Sequence, residues 1–350
     1  MQYDNLLPRL CKIMNNFQDE ESTIIYEARI NYLFTRNEDE YYKVLGKLKK
    51  DSYCMELEDF LKDNVGCKGI VIYGAEEEGI RTKRLLDSCH RAAQFFCDDG
   101  DSIGKRIEGL RVISTDELLK KYKEYIVVLS KQSCMADAYS LLLRSGFPRK
   151  QILFPMHWHL VACNGRQYFD VLSPVQNEIF VDAGAYNGDT IRDFLSWSGK
   201  EYKRIYAFEP NTDMIPVIKE FLTDEQIENV IFTPQATWSE QAELNFYNDA
   251  SASRVGKDGR TKVQATDIDS IVGDDKVTFI KMDVEGGELQ SLIGARNTIR
   301  ENKPRLAISV YHHPEDVVEI AEYILELNPE YKLLLRQYNS NFWETILYAF

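Results

Sequence analysis

The sequence predicts an α/β protein with two parallel sheets in separate domains, preceded by a helical segment. Three observations lead to this prediction. Apolar, strand-like runs alternate with helical segments over residues 68–154 and again over 178–327, as in parallel sheets with crossover helices. A glycine-bearing turn follows an apolar run that ends at Asp182. Apolar residues recur at helical spacing over residues 1–62. The predicted domains are residues 1–62, 63–155 and 156–350.

The composition is typical of an acidic globular protein. The 350 residues carry a net charge of −14, with 44% apolar and 28% charged residues, and this length favours two domains. The charge disfavours a nucleic-acid partner, because phosphate backbones would be repelled. Neither a signal peptide nor a window of about 18 apolar residues is visible. We therefore expect a cytoplasmic protein without a membrane span.

The cysteines give no indication of a metal site. All 7 are scattered along the chain, without a C-x-x-C pair, so the spacing of metal ligands is missing. We expect reduced and mostly buried thiols.

The N-terminal segment is predicted to be helical. Leu6, Leu10, Ile13 and Met14 recur at helical spacing, and charged residues fill the gaps between them. No catalytic cluster is visible here. We expect an arm that packs on the body of the protein or mediates a homo-oligomer.

The second domain begins with the apolar run KGIVIY, residues 68–73, and the loop GAEEEG, residues 74–79. Strands and helices then alternate to a short strand near residues 151–154, which predicts a small parallel α/β domain. A dinucleotide loop needs a second glycine where this chain has Glu76, followed by Glu77 and Glu78. Carboxylates at a helix N-terminus would repel a pyrophosphate. A degenerate module for docking, dimerisation or acceptor recruitment is therefore favoured over nucleotide binding.

The third domain is predicted to start with strand 178–182 and to end in a β-hairpin. The tail 331–350 predicts this hairpin, with its turn at Asn339–Asn341. A polar, glycine-rich stretch at 243–270 interrupts the alternation. The other predicted elements are helix 188–198, strand 203–208, helix 212–223, strand 229–236, strand 277–283, helix 287–300, strand 305–311 and helix 315–327.

The turn after Asp182 has the pattern of a crevice for an adenosine-bearing cofactor. Gly184 would let the backbone turn tightly against the ligand, and Gly188 would let the next helix pack close to the sheet. Glu209 lies where a carboxylate can accept hydrogen bonds from both ribose hydroxyls. Tyr186 occupies the position of the middle glycine of a pyrophosphate loop, which argues against a diphosphate. The pattern suits a cofactor without phosphate, and S-adenosylmethionine is the obvious candidate.

Four ordered motifs resemble the FkbM family of methyltransferases. They are VDAGAYNGDT at 181–190, AFEPN at 207–211, FIKMDVEGGELQSLIGA at 279–295 and LAISVYHHPED at 306–316. The resemblance covers roughly residues 168–350. It implies a Rossmann-like class I methyltransferase domain that uses S-adenosylmethionine, usually to methylate a hydroxyl. Acceptors in the family vary widely and include sugars and polyketides.

The smaller α/β domain resembles the Rossmann-like domain that often precedes sugar-modifying enzymes. Gly104, Gly109 and the run Val112–Ser114 follow the spacing of that domain. This resemblance implies a sugar or glycan precursor as the acceptor, and another small hydroxylated metabolite is the alternative.

The cofactor contacts should come from the ends of the first three strands of the third domain. The expected contact residues are Asp182, Gly184, Tyr186, Asn187, Gly188, Thr190, Glu209, Pro210, Asn211, Gln235, Ala236 and Thr237.

Candidate catalytic residues follow the fourth and fifth strands. Methyl transfer to a hydroxyl requires alignment of the reactants and removal of a proton. Lys281 and Asp283 share one face of a strand, and Glu285 lies in the next turn. We expect an active-site cluster in which Lys281 pairs with Asp283 or another carboxylate, the alternative being a structural ion pair. His312, as a neutral imidazole, is a second candidate base.

Three further alternatives stay open from the sequence. Asp283, Glu285 and His312 would permit a divalent metal by ligand type, but nothing in their spacing demands one, and we expect none. Methylation of nitrogen would need less help from a base. A module that binds the cofactor without catalysis, as an assembly subunit or sensor, is the alternative outside enzymes.

Overall fold

The computed structural model describes residues 6–48, 57–131, 135–153, 167–247, 254–256, 259–338 and 343–350. The chain divides into two compact units, one of residues 1–44 with 165–350 and the other of residues 45–164. The first residues of the chain are thus grouped with its C-terminal half. The predicted bound at 155/156 lies outside the described residues, and the three predicted domain ranges stay a prediction.

The chain begins with three helices, as its periodicity predicts. They are α1, Leu6–Met14, α2, Glu20–Thr35, and α3, Glu38–Leu48. Helix α2 starts at Asp19, whose side chain accepts a hydrogen bond from the Ser22 amide at 2.9 Å. This contact satisfies one of the free amides of the first turn.

The smaller unit contains a six-stranded sheet in the order β3-β4-β2-β1-β5-β6. All neighbouring strands are parallel except the pair β3 and β4. The central strands β1 and β5 are buried at every position, as expected for a parallel sheet covered on both faces. The elements are β1 Ile70–Tyr73, α4 Glu77–Ser88, β2 Phe95–Cys97, β3 Arg106–Ile107, β4 Leu110–Ile113, α5 Thr115–Lys121, β5 Ile126–Leu129, α6 Met135–Arg144 and β6 Ile152–Leu153.

The expectation of reduced, mostly buried thiols is wrong for Cys89, which is disulfide-bonded. Cys11, Cys67 and Cys97 are free, and of these only Cys97 is fully buried. Three cysteines lie outside the described residues: Cys54, Cys134 and Cys163.

The larger unit contains a seven-stranded sheet in the order β16-β17-β15-β14-β7-β8-β9. Strand β17 is antiparallel to both of its neighbours, whereas β15, β14, β7, β8 and β9 run parallel. A parallel sheet with one reversed final strand is the expected class I methyltransferase fold, and the predicted C-terminal hairpin is confirmed. The turn predicted at 339–341 lies outside the described residues. The strands are β7 Glu178–Ala183, β8 Tyr202–Phe208, β9 Val230–Thr233, β14 Phe279–Met282, β15 Arg305–Ser309, β16 Leu333–Gln337 and β17 Thr345–Ala349.

The helices of this unit differ from the prediction in two places. A short helix at Ile268–Val272 was not predicted. The helix predicted at 287–300 is divided at Gly294, where an added Cβ would lie 1.9 Å from the Trp238 carbonyl oxygen. The chain therefore approaches Trp238 too closely for a side chain there. The helices are α7 Asp189–Trp197, α8 Met214–Asp224, α9 Ile268–Val272, α10 Glu288–Ile293, α11 Arg296–Asn302 and α12 Asp316–Leu327.

A second, four-stranded sheet was not predicted from the sequence. Its strands are β10 Ala236–Thr237, β11 Ala242–Tyr247, β12 Arg254–Val255 and β13 Thr261–Thr266, in the order β10-β13-β11-β12. The predicted strand 229–236 is also wrong at its end, because β9 stops at Thr233. The apolar residues Phe246, Val263 and Ala265 of this polar stretch form a small core of their own.

The N-terminal residues cover the edge of the seven-stranded sheet. Gln18 donates its amide hydrogen to the Leu333 carbonyl at 3.1 Å, and Leu333 donates to the Asn16 carbonyl at 2.9 Å. The Ser22 hydroxyl accepts a hydrogen bond from the Leu335 amide at 2.9 Å. These contacts satisfy backbone groups of β16 that a bare edge would leave available for pairing with another chain.

Across the described parts of the chain, no helix combines the length and apolar character needed to span a bilayer.

Candidate functional site

The candidate site lies where parallel strands β7, β8 and β14 end at one edge of the sheet. Lys281 of β14 is paired in register with Asp182 of β7, and Asp182 with Ala207 of β8. Glu209 and Asp283 immediately follow the last two of these strands. Ligands of open α/β sheets bind at this edge.

Gly184 is required by the close approach of two strand ends. It has φ of +84°, and an added Cβ would lie 1.9 Å from the Asp283 carbonyl oxygen. Gly188, with φ of +89°, precedes α7, and an added Cβ would lie 2.4 Å from the Phe221 ring of α8. Gly188 thus allows close packing against a neighbouring helix, not against the sheet as the sequence predicted.

Lys281 is paired with Asp182, and not with Asp283 as the sequence suggested first. Its Nζ lies 3.0 Å from Asp182 Oδ1 and 2.7 Å from the Gly184 carbonyl oxygen. The two side chains are 2% and 0% exposed, so this pair is shielded from solvent. Burial raises the pKa of Asp182 to about 6, although Lys281 opposes the shift. Asp182 Oδ2 is buried and has no hydrogen-bond partner in the described part of the chain.

Glu209 is buried at the end of β8 and organises the loop that follows β7. Its carboxylate accepts hydrogen bonds from the amides of Tyr186 at 2.8 Å and Asn211 at 2.7 Å. Burial raises the pKa of Glu209 above its usual range, and these hydrogen bonds oppose the shift. Tyr186 has φ of +44°, a conformation that non-glycine residues seldom adopt. Glu209 therefore fixes both loop segments predicted to surround the cofactor.

The other predicted contacts of the first two strand ends flank this loop. The Asn187 side chain accepts a hydrogen bond from the Asp189 amide at 3.0 Å, which closes the turn before α7. Thr190 is buried in the first turn of α7. Pro210 is half-buried beside Glu209.

The predicted contacts after the third strand lie at the start of the second sheet. Gln235 is half-buried in the short link between β9 and β10. Ala236 and Thr237 form β10 and are both buried. The Thr237 hydroxyl lies 2.6 Å from the Ser291 hydroxyl of α10, so it is already engaged within the protein.

Asp283 is held by two tyrosines that sequence reasoning missed. Tyr168 donates its hydroxyl hydrogen to Asp283 Oδ2 at 2.8 Å, and Tyr311 lies 3.1 Å from Oδ1. Burial and the charge of Asp283 raise the pKa of both tyrosines well above the usual value, so each remains a donor. Tyr311 lies within the motif LAISVYHHPED, in which the adjacent His312 is the more obvious candidate base. Tyr168 had no signal, because it lies more than 100 residues from its partner.

His312 lies among carboxylates from three positions. Its Nε2 is 3.3 Å from Glu285 Oε2 and 3.6 Å from Asp283 Oδ1, and its Nδ1 is 3.0 Å from Glu288 Oε1. Burial lowers the pKa of His312, but the carboxylates of Glu288, Glu285 and Asp283 outweigh it and raise the pKa to about 11. Without a bound cation, the imidazole would therefore keep its proton at pH 7, which differs from the expected neutral ring.

Two further acids of this cluster were not predicted. Burial and the neighbouring Asp283 raise the pKa of Glu344 to about 7. Glu288 accepts hydrogen bonds from the amides of Val284 at 2.8 Å and Gly286 at 3.1 Å. Glu344 immediately precedes the last strand of the hairpin, and nothing in its sequence neighbourhood suggests chemistry.

In the smaller unit, side chains of the same unit contact the loop between β1 and α4. Lys131 Nζ lies 2.9 Å from Glu76 Oε1, and Asp98 accepts a hydrogen bond from the Ala75 amide at 2.9 Å. Asp99 accepts one from the Thr115 hydroxyl at 2.7 Å. Asp98 thus stabilises the loop after β1, and Asp99 stabilises the start of α5. Whether this unit is a degenerate module stays a prediction.

Comparison with known protein families identifies the domain that contains the site at the strand ends. Residues 182–331 match the family model described as the methyltransferase FkbM domain. The chain therefore contains an FkbM methyltransferase domain. The FkbM domain includes every residue predicted to bind cofactor or to take part in catalysis, from Asp182 to His312. Tyr168 and Glu344 lie outside the matched range.

Solved structures of other methyltransferases are similar to this chain. The methyltransferase FkbM from Methylobacillus flagellatus KT is 18% identical, with a TM-score of 0.47, and the match covers 89% of this chain and 99% of that one. An rRNA methylase from Streptococcus thermophilus is 18% identical, with a TM-score of 0.35, covering 54% and 93%. Aeropyrum pernix fibrillarin, with natively bound S-adenosyl-L-methionine, is 12% identical, with a TM-score of 0.35, covering 55% and 74%. The family assignment comes from the sequence match, because these scores are low. No curated protein matches the sequence.

Proposed function

We propose that this protein uses S-adenosylmethionine to methylate a hydroxyl of a sugar, a glycan precursor or another small hydroxylated metabolite. The observation that carries the proposal is the pair of buried carboxylates at adjacent strand ends, Asp182 and Glu209. Asp182 has a carboxylate oxygen with no hydrogen-bond partner in the described part of the chain. The Glu209 carboxylate is held in place by hydrogen bonds from two backbone amides. The cytoplasmic location and a homo-oligomer through the N-terminal segment stay predictions.

The residues present fit S-adenosylmethionine. A carboxylate has about four acceptor positions, so Glu209 retains capacity for two ribose hydroxyls after accepting from Tyr186 and Asn211. Buried acceptors are rarely left without a donor, and Asp182 Oδ2 would be satisfied by a donor group of the ligand. Tyr186 replaces the glycine that a diphosphate would need. The loop from Asp182 to Gly188 would therefore hold the methionyl end, and Glu209 the ribose.

The chain's own residues would align the acceptor and take its proton. When bound, S-adenosylmethionine supplies an activated methyl group, whose carbon bonds to the acceptor oxygen as its bond to sulfur breaks and the electron pair stays on sulfur. The acceptor hydroxyl must lose its proton to a nearby base, and we assign that proton to Asp283. Tyr168 and Tyr311 orient this carboxylate. Lys281 positions the cofactor loop through Asp182 and the Gly184 carbonyl. Glu285 and His312 complete the polar surface beside Asp283.

Calorimetric titration of the full-length protein with S-adenosylmethionine tests the cofactor assignment. We expect binding, and we expect Glu209→Gln to weaken it about 10- to 100-fold, as for lost hydrogen bonds to a charged group. The control Glu225→Ala removes an exposed carboxylate after α8 and should leave the affinity unchanged. A wild-type protein that does not bind the cofactor would contradict the proposal. Equal affinities of wild type and Glu209→Gln would contradict the ribose assignment alone.

Turnover against a panel of hydroxylated sugars tests the reaction. Asp283→Asn should lower the methylation rate about 100-fold or more and leave cofactor affinity within about twofold. If the enzyme methylates the compounds of an amine panel and leaves the alcohols unchanged, nitrogen is favoured as the acceptor atom. Cofactor binding without turnover on either panel would favour the non-catalytic alternative.

A further inference from the structure

We propose that Asp283, Glu285 and His312 form a binding site for one divalent cation. Their ligand atoms, two carboxylate oxygens and one imidazole nitrogen, lie within 4.8 Å of one another. This proposal differs from the expectation from the sequence, which was that these residues bind no metal. The placement of these three side chains, and not their spacing along the chain, is what indicates the cation.

The decisive side chain is His312. It is 6% exposed, and neither ring nitrogen has a hydrogen-bond partner of acceptable geometry among the described residues. Nevertheless Nε2 faces two carboxylate oxygens, at 3.3 Å in Glu285 and 3.6 Å in Asp283. Two ligands at about 2.1 Å from a shared ion, and about 90–110° apart, are separated by about 3.0–3.4 Å. The spacing observed around Nε2 is close to that of cation ligands.

The surrounding contacts match those that usually support a metal-binding histidine. The second ring nitrogen of such a histidine normally faces a carboxylate, which fixes the ring. Here Nδ1 lies 3.0 Å from Glu288 Oε1, and Glu288 is itself held by the amides of Val284 and Gly286. Asp283 is oriented by Tyr168. Glu285 has φ of +56°, so a strained backbone turns its side chain back to the cluster.

The exposure of the carboxylates indicates which side of the ring the cation would occupy. Glu288, Asp316 and His312 are also close enough to share an ion at Nδ1. However, the Glu288 side chain is 1% exposed and already accepts two amide hydrogens. Asp283 and Glu285 are 19% and 27% exposed, which gives an ion a path from solvent. We therefore assign the ion to Nε2.

Two carboxylates and one imidazole favour a hard or borderline divalent ion such as Mn²⁺ or Mg²⁺. Three protein ligands leave coordination positions open for water or an acceptor hydroxyl. In that role, which rests on the proposed function, the ion would hold the acceptor oxygen beside Asp283 and make its proton easier to remove. The binding of the ion itself does not depend on that role.

Titration of the metal-stripped, full-length protein with Mn²⁺ tests the site, with free Mn²⁺ followed by electron paramagnetic resonance. We expect one bound ion per chain, displaced by excess Mg²⁺. His312→Gln and Glu285→Gln should each weaken binding at least tenfold. Glu285→Gln is included because its side chain is partly exposed, at 27%, and can change with less effect on folding than the buried His312. His313→Gln changes the neighbouring, exposed histidine and should bind as the wild type does.

The outcomes separate this inference from the proposed function. Equal Mn²⁺ binding by wild type, His312→Gln and Glu285→Gln, or none by wild type, would overturn the cation site and leave an ion-pair cluster. Calorimetry with S-adenosylmethionine, performed without metal, reports on the proposed function alone. If the protein binds Mn²⁺ through these residues but does not bind the cofactor, the cation site is supported and the proposed function is contradicted.

Discussion

Lys281 and Asp182 form a buried ion pair across two adjacent strands, with Nζ 3.0 Å from Oδ1. The same ammonium donates to the Gly184 carbonyl oxygen at 2.7 Å. One side chain of β14 thus neutralises the last acid of β7 and fixes the first residue of the loop that follows. These two contacts explain why a lysine occurs within an otherwise apolar strand.

Replacing Lys281 with methionine should destabilise the larger unit by about 3–5 kcal/mol, because Asp182 would be left charged and buried without a partner. The control Lys276→Met, at an exposed position before β14, should change stability by less than about 0.5 kcal/mol. Urea unfolding at pH 7 measures both. If Lys281→Met lowers the free energy of unfolding by less than about 1 kcal/mol, the ion pair contributes little to stability.

The loss caused by Lys281→Met should shrink as the pH falls from 7 to 5. Burial already raises the pKa of Asp182 to about 6 with Lys281 present, and removal of the ammonium raises it further. The folded variant then binds a proton that the unfolded chain does not, so its stability rises toward acid pH. The double variant Asp182→Asn with Lys281→Met should regain part of the loss at pH 7. A pH-independent loss would contradict this assignment.

Gly184→Ala should destabilise the larger unit far more than Gly199→Ala. Both glycines have positive φ, of +84° and +63°, so both variants carry a backbone cost of about 1–2 kcal/mol. An added Cβ at Gly184 would also meet the Asp283 carbonyl oxygen at 1.9 Å, whereas at Gly199 it meets nothing within 4 Å. We expect a difference of at least about 2 kcal/mol in urea unfolding. Equal losses would mean that the loop can move away from Asp283.

The start of α2 should lose stability in acid. Burial would raise the pKa of Asp19, but the hydrogen bonds from Arg336 and Ser22 outweigh it and lower the pKa from 3.8 to about 2. Because the folded-state pKa is depressed, this contribution is complete above pH 4 and is lost as the pH falls toward 2. Since Asp19 is 35% exposed, solvent screening limits it to about 1 kcal/mol.

Comparison of wild type with Asp19→Asn over pH 2–5 measures that contribution. The variant keeps a helix-capping side chain and loses the ionisable group. Wild type should be the more stable protein at pH 5, and the difference in unfolding free energy should vanish near pH 2. A difference that stays constant would show that Arg336 contributes nothing through the charge of Asp19.

Removal of residues 1–18 should expose the edge strand β16 and cause association. The amide and carbonyl of Leu333 would lose the partners that Gln18 and Asn16 now provide, and free strand edges pair with other chains. Light scattering should give a higher mass than for the full-length protein. The control Arg9→Ala breaks the ion pair with Glu322, which lies 2.8 Å from Arg9 Nε. It should cost less than about 1 kcal/mol without a change in mass.

Local sequence patterns predicted most elements of both sheets, because their strands are buried runs bounded by glycine and polar residues. The second sheet was missed, since its strands are short and its core consists of a few apolar residues in a polar stretch. The division of the helix at Gly294 depends on the approach of Trp238, which is distant in sequence.

The motifs also located the residues at the strand ends, but not their partners. Lys281 meets Asp182 only because β14 and β7 are neighbours in register, a relationship that alternation along one strand cannot supply. The pKa of His312 depends on three carboxylates from one turn and one helix. Tyr168, which contacts Asp283, and Glu344, whose pKa Asp283 raises, are both distant from Asp283 in sequence. No local signal could therefore identify them.

The position of β17 has a consequence for how the chain matures. Thr345–Ala349 follows β16 along the chain, yet it lies between β15 and β16 in the sheet. While these residues are still inside the ribosome, β16 has no neighbour on that side, and the site's sheet remains open. Completion of the larger unit therefore waits until residues 345–349 have left the ribosome, whereas residues 45–164 can fold earlier as a separate body during synthesis.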